Sequence, residues 1–238
     1  MNQAPILLQG AEEHEISGFL CAMSRPDRTE VGGYSFWHGR IGAQNTVIAQ
    51  TDIGLIHAAC ATVLGILTFH PAVVINQGTA GAAVRQLHRG DIVIGSQAVN
   101  LDALNMPPRP KDTGCAPFDW TFNGRSAILN ANPAWVSRLT AGNDSAGILH
   151  VGRLGSGDLF SREADRIDWL HAQRGHLCED MESAAVYQAC TRLDTPCVGV
   201  RIISNNELTR EPYEEPVAAD LQRFLLDTLF TSNTSVEM

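Results

Sequence analysis

The stretch Cys178–Asn206, CEDMESAAVYQACTRLDTPCVGVRIISNN, contains an apolar strand end, three carboxylates, a helix and a second apolar strand. Apolar residues recur at helical spacing from Met181 to Arg192, and the prolyl turn at 194–196 ends that helix. The segment Cys197–Ile203 is short, largely β-branched and apolar on both faces, which is typical of a parallel strand covered by helices. Ligands of open α/β sheets bind beyond the carboxyl ends of the strands, so a site is predicted just after Ile203.

Apolar strands and helices alternate along the rest of the chain, and one early hairpin turns at Gly42. A glycine turn is predicted at Gln77–Ala82, directly after an apolar strand. Further strands are predicted at 6–8, 72–76, 92–94 and 147–152, and further helices at 56–69, 132–139, 162–172 and 217–230. This order predicts a mixed α/β sheet of the doubly wound kind, formed by one domain over residues 1–238 with a frayed end from residue 231.

Composition and charge limit the classes of partner. The chain has 238 residues, 44% of them hydrophobic, and a net charge of −9. No Lys/Arg-rich run offers a nucleic-acid surface, and no apolar run approaches the ~20 residues of a membrane span. The start, Met1–Pro5, lacks the basic segment of a signal peptide. We therefore expect a cytoplasmic protein with a small-molecule ligand, and neither nucleic acid nor membrane as a partner.

Neither a metal nor a cofactor is expected. The six cysteines form no Cys-x-x-Cys pair, and the eight histidines form no cluster with acids at ligand spacing. The cysteines are predicted to be reduced thiols, three of them in strand or helix cores. The glycine segment Gln77–Ala82 matches neither a Walker loop nor Gly-x-Gly-x-x-Gly, so no nucleoside triphosphate or dinucleotide is implied.

Two features have more than one interpretation from the residues alone. Glu15 lies at the start of a predicted helix, where a carboxylate either complements the helix dipole or serves catalysis. The long proline-rich loop Asn105–Pro117 is predicted to be a lid or a subunit contact.

Six motifs occur in one order along nearly the whole chain: Gly10–Glu15, Asn76–Gly81, Gly90–Val93, Ser156–Phe160, Asp180–Glu182 and Arg201–Ser204. Together they resemble the methylthioadenosine/S-adenosylhomocysteine nucleosidases of the purine nucleoside phosphorylase superfamily. The resemblance implies a three-layer α/β/α fold with a mixed central sheet and an activity on purine nucleosides. It also implies a homodimer, in which the loop Leu101–Pro117 closes part of the neighbouring pocket.

The resemblance implies three catalytic residues. Glu15 matches the glutamate that orients and deprotonates the attacking water, and Glu182 matches the one that accepts hydrogen bonds from the ribose hydroxyls. Asn205 lies where the family has an aspartate that protonates purine N7. The other implied substrate-binding residues are Ile53 at the 5′ side, Thr79 and Met181 at the sugar, Phe160 and Ser161 at the base, and Ser204 and Tyr213.

Asn205 departs from the family pattern, because an amide has no titratable proton to give to the leaving base. An amide donates one hydrogen bond and accepts another, which suits the O6 and N7 edge of a 6-oxopurine. We therefore predict a purine nucleosidase for inosine- or guanosine-type substrates. The alternative is a methylthioadenosine/S-adenosylhomocysteine nucleosidase that releases adenine. Asn205 could also cap a following helix, and Asn206 could face the base in its place.

The choice between water and phosphate as nucleophile follows from charge. Three acids, Glu12, Glu13 and Glu15, occupy the turn where phosphorylases of the superfamily place an arginine, and they would repel a dianion. Water is therefore the predicted nucleophile. A phosphorylase or an inactive storage-type relative is a second alternative, and the presence of Glu15, Phe160, Met181 and Glu182 disfavours an inactive protein.

Overall fold

The computed structural model describes residues 4–142 and 147–231, which contain twelve strands, six α-helices and a short 3-10 helix at Pro117–Asp119. The predicted frayed end, apart from Thr231, lies outside the described residues. The strands are β1 Ile6–Gly10, β2 Ser24–Val31, β3 Tyr34–Ile41, β4 Gln44–Gln50, β5 Val73–Ala82, β6 Ile92–Asn100, β7 Leu104–Asn105, β8 Thr121–Phe122, β9 Leu129–Asn130, β10 Leu149–Ser156, β11 His176–Asp180 and β12 Cys197–Asn205. The helices are α1 Glu13–Ala22, α2 Leu55–Phe69, α3 Pro133–Thr140, α4 Ala164–Arg174, α5 Ser183–Arg192 and α6 Val217–Phe230.

One mixed sheet forms the centre of the molecule, with the strand order β11-β10-β6-β12-β5-β1-β4-β3-β2 and β9 beside β6. The central strand β5 is parallel to β1 and β12. Its last residues also pair antiparallel with β11, so the sheet curls back on itself. Within β5, Gly81 is in register with Asn205 of β12 on one side and Glu179 of β11 on the other. The curl therefore brings the ends of β5, β11 and β12 together.

Helices cover both faces of this sheet. Helix α1 packs against α6, and α2 packs against α5. Between them, one core contains residues from the first strand to the last helix, among them Leu8, Ile75, Val200 and Leu225. The apolar, two-faced strands of the sequence are buried as expected for strands covered by helices. The predicted three-layer α/β/α fold with a mixed central sheet is confirmed.

Several predicted elements have different bounds in the structure. The segment Gln77–Ala82 is not a turn but the second half of β5, because its backbone pairs with β12 and β11. Helix α5 begins at Ser183 and not at Met181, since Asp180 Oδ1 accepts the N–H groups of Glu182 and Ser183 at 3.0 and 2.9 Å and so forms the helix start. The strand predicted at 147–152 is instead Leu149–Ser156.

One smaller difference concerns the surface. The edge strand β2, Ser24–Val31, is largely exposed and carries four charged residues, so no apolar pattern in the sequence predicts it. Three of the six cysteines, Cys178, Cys190 and Cys197, are buried as predicted, and the other three are exposed. Within residues 4–142 and 147–231, no helix has both the length and the apolar character that crossing a bilayer requires.

Candidate active site

A cleft with a cavity volume of about 180 Å³ opens where β1, β5, β11 and β12 end. This space is the larger cavity of the site. Its position agrees with the rule that α/β proteins bind ligands at strand ends. Its lining residues are Ala11, Glu12, Glu15, Ile53, Thr79, Ala80, Gly81, Phe160, Glu179, Asp180, Met181, Glu182, Ser204 and Tyr213.

A second cavity of about 40 Å³, the smaller cavity, shares Gly81, Phe160, Glu179, Asp180 and Met181 with the larger one. The remaining residues of its wall are Ala82, Leu159, Ser161, Ile167, Asn205 and Glu207. Because the two cavities have five residues in common, they form the two halves of one cleft. Phe160 borders both halves and is 54% exposed as a residue, so its aromatic ring is available to a flat ligand.

Glu15 is buried, and four hydrogen bonds fix its carboxylate at the wall of the larger cavity. Oε2 accepts the N–H groups of Ala11 at 2.8 Å and Glu12 at 3.3 Å, which the start of α1 leaves unpaired. Oε1 accepts the Thr79 N–H at 2.8 Å and its hydroxyl at 3.3 Å. Glu15 therefore does serve the helix start, and the same carboxylate also faces the cleft.

Gly78 makes this arrangement possible. A Cβ atom at Gly78 would lie 2.5 Å from Glu15 Oε1 and 2.5 Å from Arg201 Nη1. No side chain fits between these two charged groups, so β5 can approach Glu15 this closely only with glycine at position 78.

Behind the larger cavity, Arg201 holds a buried polar network. Its Nε donates to Asp180 Oδ2 at 2.9 Å, and its Nη2 donates to Asn76 Oδ1 at 2.5 Å and Ser183 Oγ at 3.0 Å. Burial alone would raise the pKa of Asp180, but the Arg201 charge and hydrogen bonds from Ser156 and Ser183 hold that pKa below its usual range. Asp180 and Arg201 are thus a paired, desolvated unit that orients the start of α5.

Glu182 sits at the edge of this network, with Oε2 at 3.5 Å from Arg201 Nη2 and Oε1 accepting the Gly54 N–H at 3.1 Å. Burial raises the pKa of Glu182 to about 7, against the opposing Arg201 charge, and the charges of Asp180 and Glu15 add to the increase. A carboxyl with this pKa exchanges its proton near neutral pH. A ligand hydroxyl that donates a hydrogen bond to it would stabilise its ionised form.

The two asparagines after β12 have different surroundings. Asn206 Nδ2 donates to the carbonyls of Val84 and Leu87, and its Oδ1 accepts the N–H groups of Leu208 and Thr209. Its amide is committed to the turn, so the alternative in which Asn206 faces the ligand is wrong. No helix follows Asn205 directly within the described residues, since α6 begins at Val217, and the cap interpretation is wrong as well.

Asn205 lines the smaller cavity. Its Oδ1 accepts the Ser204 hydroxyl at 3.1 Å, and its Nδ2 donates to Glu207 Oε1 at a long 3.4 Å. The weak contact on the donor side leaves Nδ2 available to a ligand.

All ten candidate residues from the sequence line this cleft. In the larger cavity are Glu15, Ile53, Thr79, Glu182, Ser204 and Tyr213; in the smaller cavity are Ser161 and Asn205; Phe160 and Met181 border both. Tyr213 is 44% exposed, and burial raises its pKa although a hydrogen bond with Thr79 acts against the increase.

Sequence reasoning assigned no individual role to five polar residues of the site: Asn76, Glu179, Asp180, Arg201 and Glu207. A charged residue within the apolar run Cys197–Ile203 was the available signal for Arg201, since a buried charge requires a partner. No group of three metal-ligating side chains suitable for a metal ion occurs in the described ranges 4–142 and 147–231.

A family model described as the phosphorylase superfamily matches residues 9–226 of this chain. The chain belongs to the phosphorylase superfamily. A relative within reach of sequence comparison is a 5′-methylthioadenosine/S-adenosylhomocysteine nucleosidase of Anoxybacillus flavithermus, 30% identical over 207 residues that cover 84% of each chain.

Solved structures show which fold the chain shares. A 5′-methylthioadenosine/S-adenosylhomocysteine nucleosidase of Neisseria meningitidis, in complex with methylthio-immucillin-A, has a TM-score of 0.82 at 23% identity and covers 97% of this chain and all (100%) of that one. A futalosine hydrolase mutant of Helicobacter pylori has a TM-score of 0.81 at 24% identity and covers 95% and 98%. These likenesses establish the shared fold.

Proposed function

We propose that the protein hydrolyses the N-ribosidic bond of a purine nucleoside. The observation that carries the proposal is the Glu15 carboxylate, which is buried, fixed by four hydrogen bonds and turned toward a cavity at the strand ends. A carboxylate held in this way is suited to take a proton from a water molecule that attacks the anomeric carbon, while the base leaves with the electron pair of the C–N bond and takes up a proton from solvent.

Glu182 supplies the sugar contact in this proposal. Ribose hydroxyls donate hydrogen bonds. The ionised Glu182 carboxylate accepts the Gly54 N–H at 3.1 Å, and only longer contacts reach it from the Met181 N–H at 3.3 Å and from Arg201 at 3.5 Å, so its oxygens still have room to accept the hydroxyls. Departure of the base leaves positive charge on the sugar ring, and the carboxylates of Glu15, Asp180 and Glu182 around the larger cavity stabilise that charge. Met181, outside the helix and at the shared wall, packs against the sugar.

Hydrolysis is proposed over phosphorolysis because of the charge around the cleft. Among the described residues that line its two halves, none is lysine or arginine, whereas six are glutamate or aspartate. Arg201, the nearest buried cation, is already paired with Asp180 and bonded to Asn76. A phosphate dianion would meet six carboxyl groups and no lysine or arginine among these lining residues, and water meets no such barrier.

For the substrate, we propose a 5′-alkylthio adenine nucleoside of the methylthioadenosine or S-adenosylhomocysteine type. The relative from Anoxybacillus flavithermus is a nucleosidase named for these two substrates. Its name supports the adenine-releasing alternative better than the 6-oxopurine prediction. The half-exposed side chain of Ile53 at the mouth of the larger cavity offers an apolar surface to the 5′ substituent.

A 6-oxopurine nucleoside is the second candidate, favoured by one observation. Asn205 lines the smaller cavity and has no titratable proton with which to assist adenine. The futalosine hydrolase among the structural neighbours bears only on the fold and does not decide between the bases.

The test of the proposed function is Glu15→Gln, assayed with a panel of methylthioadenosine, S-adenosylhomocysteine, adenosine, inosine and guanosine. Loss of a general base is expected to reduce turnover by about 10²–10⁴-fold while the substrate still binds. Near-normal turnover of Glu15→Gln would overturn the assignment, and the wild-type panel decides between the adenine and 6-oxopurine candidates.

We further propose that the protein acts in the cytoplasm as a homodimer, in which the loop Leu101–Pro117 closes the partner's pocket. Met106 in this loop is 69% exposed and Phe118 just after it is 48% exposed. Large exposed apolar side chains on a long loop are typical of an interaction surface. The resemblance of the sequence motifs to a dimeric family supports the same proposal.

A further inference from the structure

Glu179 occupies the junction of the two cavities. It is the β11 partner of Gly81, and on the other side of Gly81 lies Asn205. A Cβ atom at Gly81 would meet the Asn205 amide at 3.4 Å, so this amide lies against the glycine. Glu179 and Asn205 therefore approach the smaller cavity from opposite sides of a strand position that has no side chain.

A buried histidine fixes Glu179 from behind. His176 is fully buried (0% exposed), and its Nε2 lies 3.0 Å from Glu179 Oε1. Residues three apart on a strand normally face opposite sides, but the pairing of β11 with β10 shifts register between Arg153 and Leu154, and such a bulge re-aims side chains. Gly155 leaves room for the imidazole, since a Cβ there would lie 2.7 Å from the ring.

The hydrogen bonds of this pair leave one group for a ligand. A carboxylate only accepts, so Nε2 of His176 donates to Oε1. Among the described residues, no hydrogen bond reaches Oε2 of Glu179, and His176 Nδ1 is buried without a partner. A fully buried histidine with an unsatisfied nitrogen costs stability, and its visible effect is to orient Glu179 toward the cleft.

We propose that Glu179, positioned by His176, is the specificity-determining residue that accepts a hydrogen bond from the exocyclic amino group of the purine. The inference rests on the proposed nucleosidase function and deepens it, because it assigns the base as an aminopurine. A base with an oxygen at that position would place one acceptor against another.

Glu207 is a weaker candidate for this role. Its Oε1 is already approached by Asn205 Nδ2 and by Arg162 Nε, each at 3.4 Å, and Arg162 offsets its charge. Glu179 has no arginine or lysine partner among the described residues, and its one side-chain hydrogen bond there is with the buried histidine.

The experiment compares 5′-methylthioadenosine with its 6-oxo analogue and with the analogue that lacks a 6-substituent. The wild type is expected to favour the amino substrate in kcat/KM. Glu179→Gln is expected to lower kcat/KM for the amino substrate by about 10-fold or more and to leave the unsubstituted one within about twofold, because only the first loses a charged hydrogen bond. Glu163→Gln, at an exposed carboxylate before α4, is the matched control. It should leave unchanged the kcat/KM for the amino substrate relative to each of the two analogues.

His176 is tested through the selectivity ratio, which is kcat/KM for the amino substrate divided by kcat/KM for the 6-oxo analogue. A purely structural role of His176 would not change this ratio. His176→Gln retains an N–H group near the Nε2 position and is expected to keep the preference for the amino substrate. His176→Leu is expected to lose it even where the thermal midpoint shows a folded protein.

Three results would overturn the inference: a wild-type preference for the 6-oxo analogue, an unchanged ratio in Glu179→Gln, or loss of the preference in Glu207→Gln alone. If the wild type cleaves none of the nucleosides, the proposed function fails and calorimetry with free bases still tests Glu179. Adenine should then bind more tightly than purine or hypoxanthine, and Glu179→Gln should abolish the difference. Equal binding of the three bases would contradict the inference.

Discussion

Glu182 shows how burial at the scale of one residue links stability to pH. Its pKa rises from 4.5 to about 7 in the folded protein, so between these values the folded state holds a proton that the unfolded state has released. Stability therefore falls as pH rises through this window and is constant above it. The ionised form that a ribose hydroxyl would bind is the form that costs the fold most.

Glu182→Gln removes this titration and keeps an acceptor for the Gly54 N–H. From about pH 5.5 to about pH 8.5, the free energy of unfolding of the wild type falls by about 2 kcal/mol through Glu182, and that of the variant does not. The melting temperature of the variant minus that of the wild type should therefore be several degrees larger at the higher pH. Calorimetry at both pH values measures the difference, with the exposed Glu163→Gln as control. A difference that does not change with pH would show that Glu182 is ionised throughout.

The ten candidate residues converge on one cleft because each follows, or lies at the end of, a strand that the apolar pattern made recognisable. Glu179 did not emerge in the same way. Its pairing with His176 depends on a bulge and on space at Gly155, and neither is encoded in the spacing of the two residues. A contact that depends on a bulge cannot be predicted from the regular spacing of residues along a strand.

At the scale of elements, β5 is the strand on which the site depends. The sequence presented its second half as a glycine turn, since Gly78 and Gly81 interrupt the apolar pattern. The structure uses both glycines inside a strand, one to approach Glu15 and Arg201 and one between Asn205 and Glu179. By contrast, the bounds of α6 match the prediction of residues 217–230, because a regular apolar face fixes an amphipathic helix.

Gly78→Ala tests the role of β5. A methyl group 2.5 Å from Glu15 Oε1 must displace the carboxylate, and a shift of about 1 Å at a catalytic group is expected to lower kcat by about 10²-fold. Gly124→Ala is the matched control, because a Cβ there meets nothing within 4 Å. Steady-state kinetics of both variants give the comparison. Full activity of Gly78→Ala would mean that Glu15 does not need its observed position.

At the scale of the whole molecule, the curl that pairs β5 with β11 assembles the site from distant parts of the chain. The alternation of strands and helices predicted the layers, but the antiparallel contact that closes the sheet involves two residue pairs and leaves no mark in the sequence. The exposed apolar residues around the loop Leu101–Pro117 concern the assembly of two molecules into the proposed dimer.

Met106→Asp tests the proposed dimer. A charge in an apolar contact should raise the dissociation constant of the dimer by about 10-fold or more and lower activity at dilute enzyme. Ile148→Asp is the control, since Ile148 is 66% exposed and precedes β10, at the end of the strand away from the cleft. Sedimentation velocity over a concentration series reports both. A wild type that is monomeric and fully active would contradict the proposal.

Product analysis with and without phosphate addresses the proposed hydrolysis itself. Wild-type protein is incubated with 5′-methylthioadenosine in phosphate-free and in phosphate-containing buffer, and free base and sugar are separated and identified. The acidic cleft predicts release of adenine and the free 5-methylthio sugar at the same rate in both buffers. A sugar 1-phosphate that forms only when phosphate is present, or the absence of base release from every purine nucleoside supplied, would contradict it.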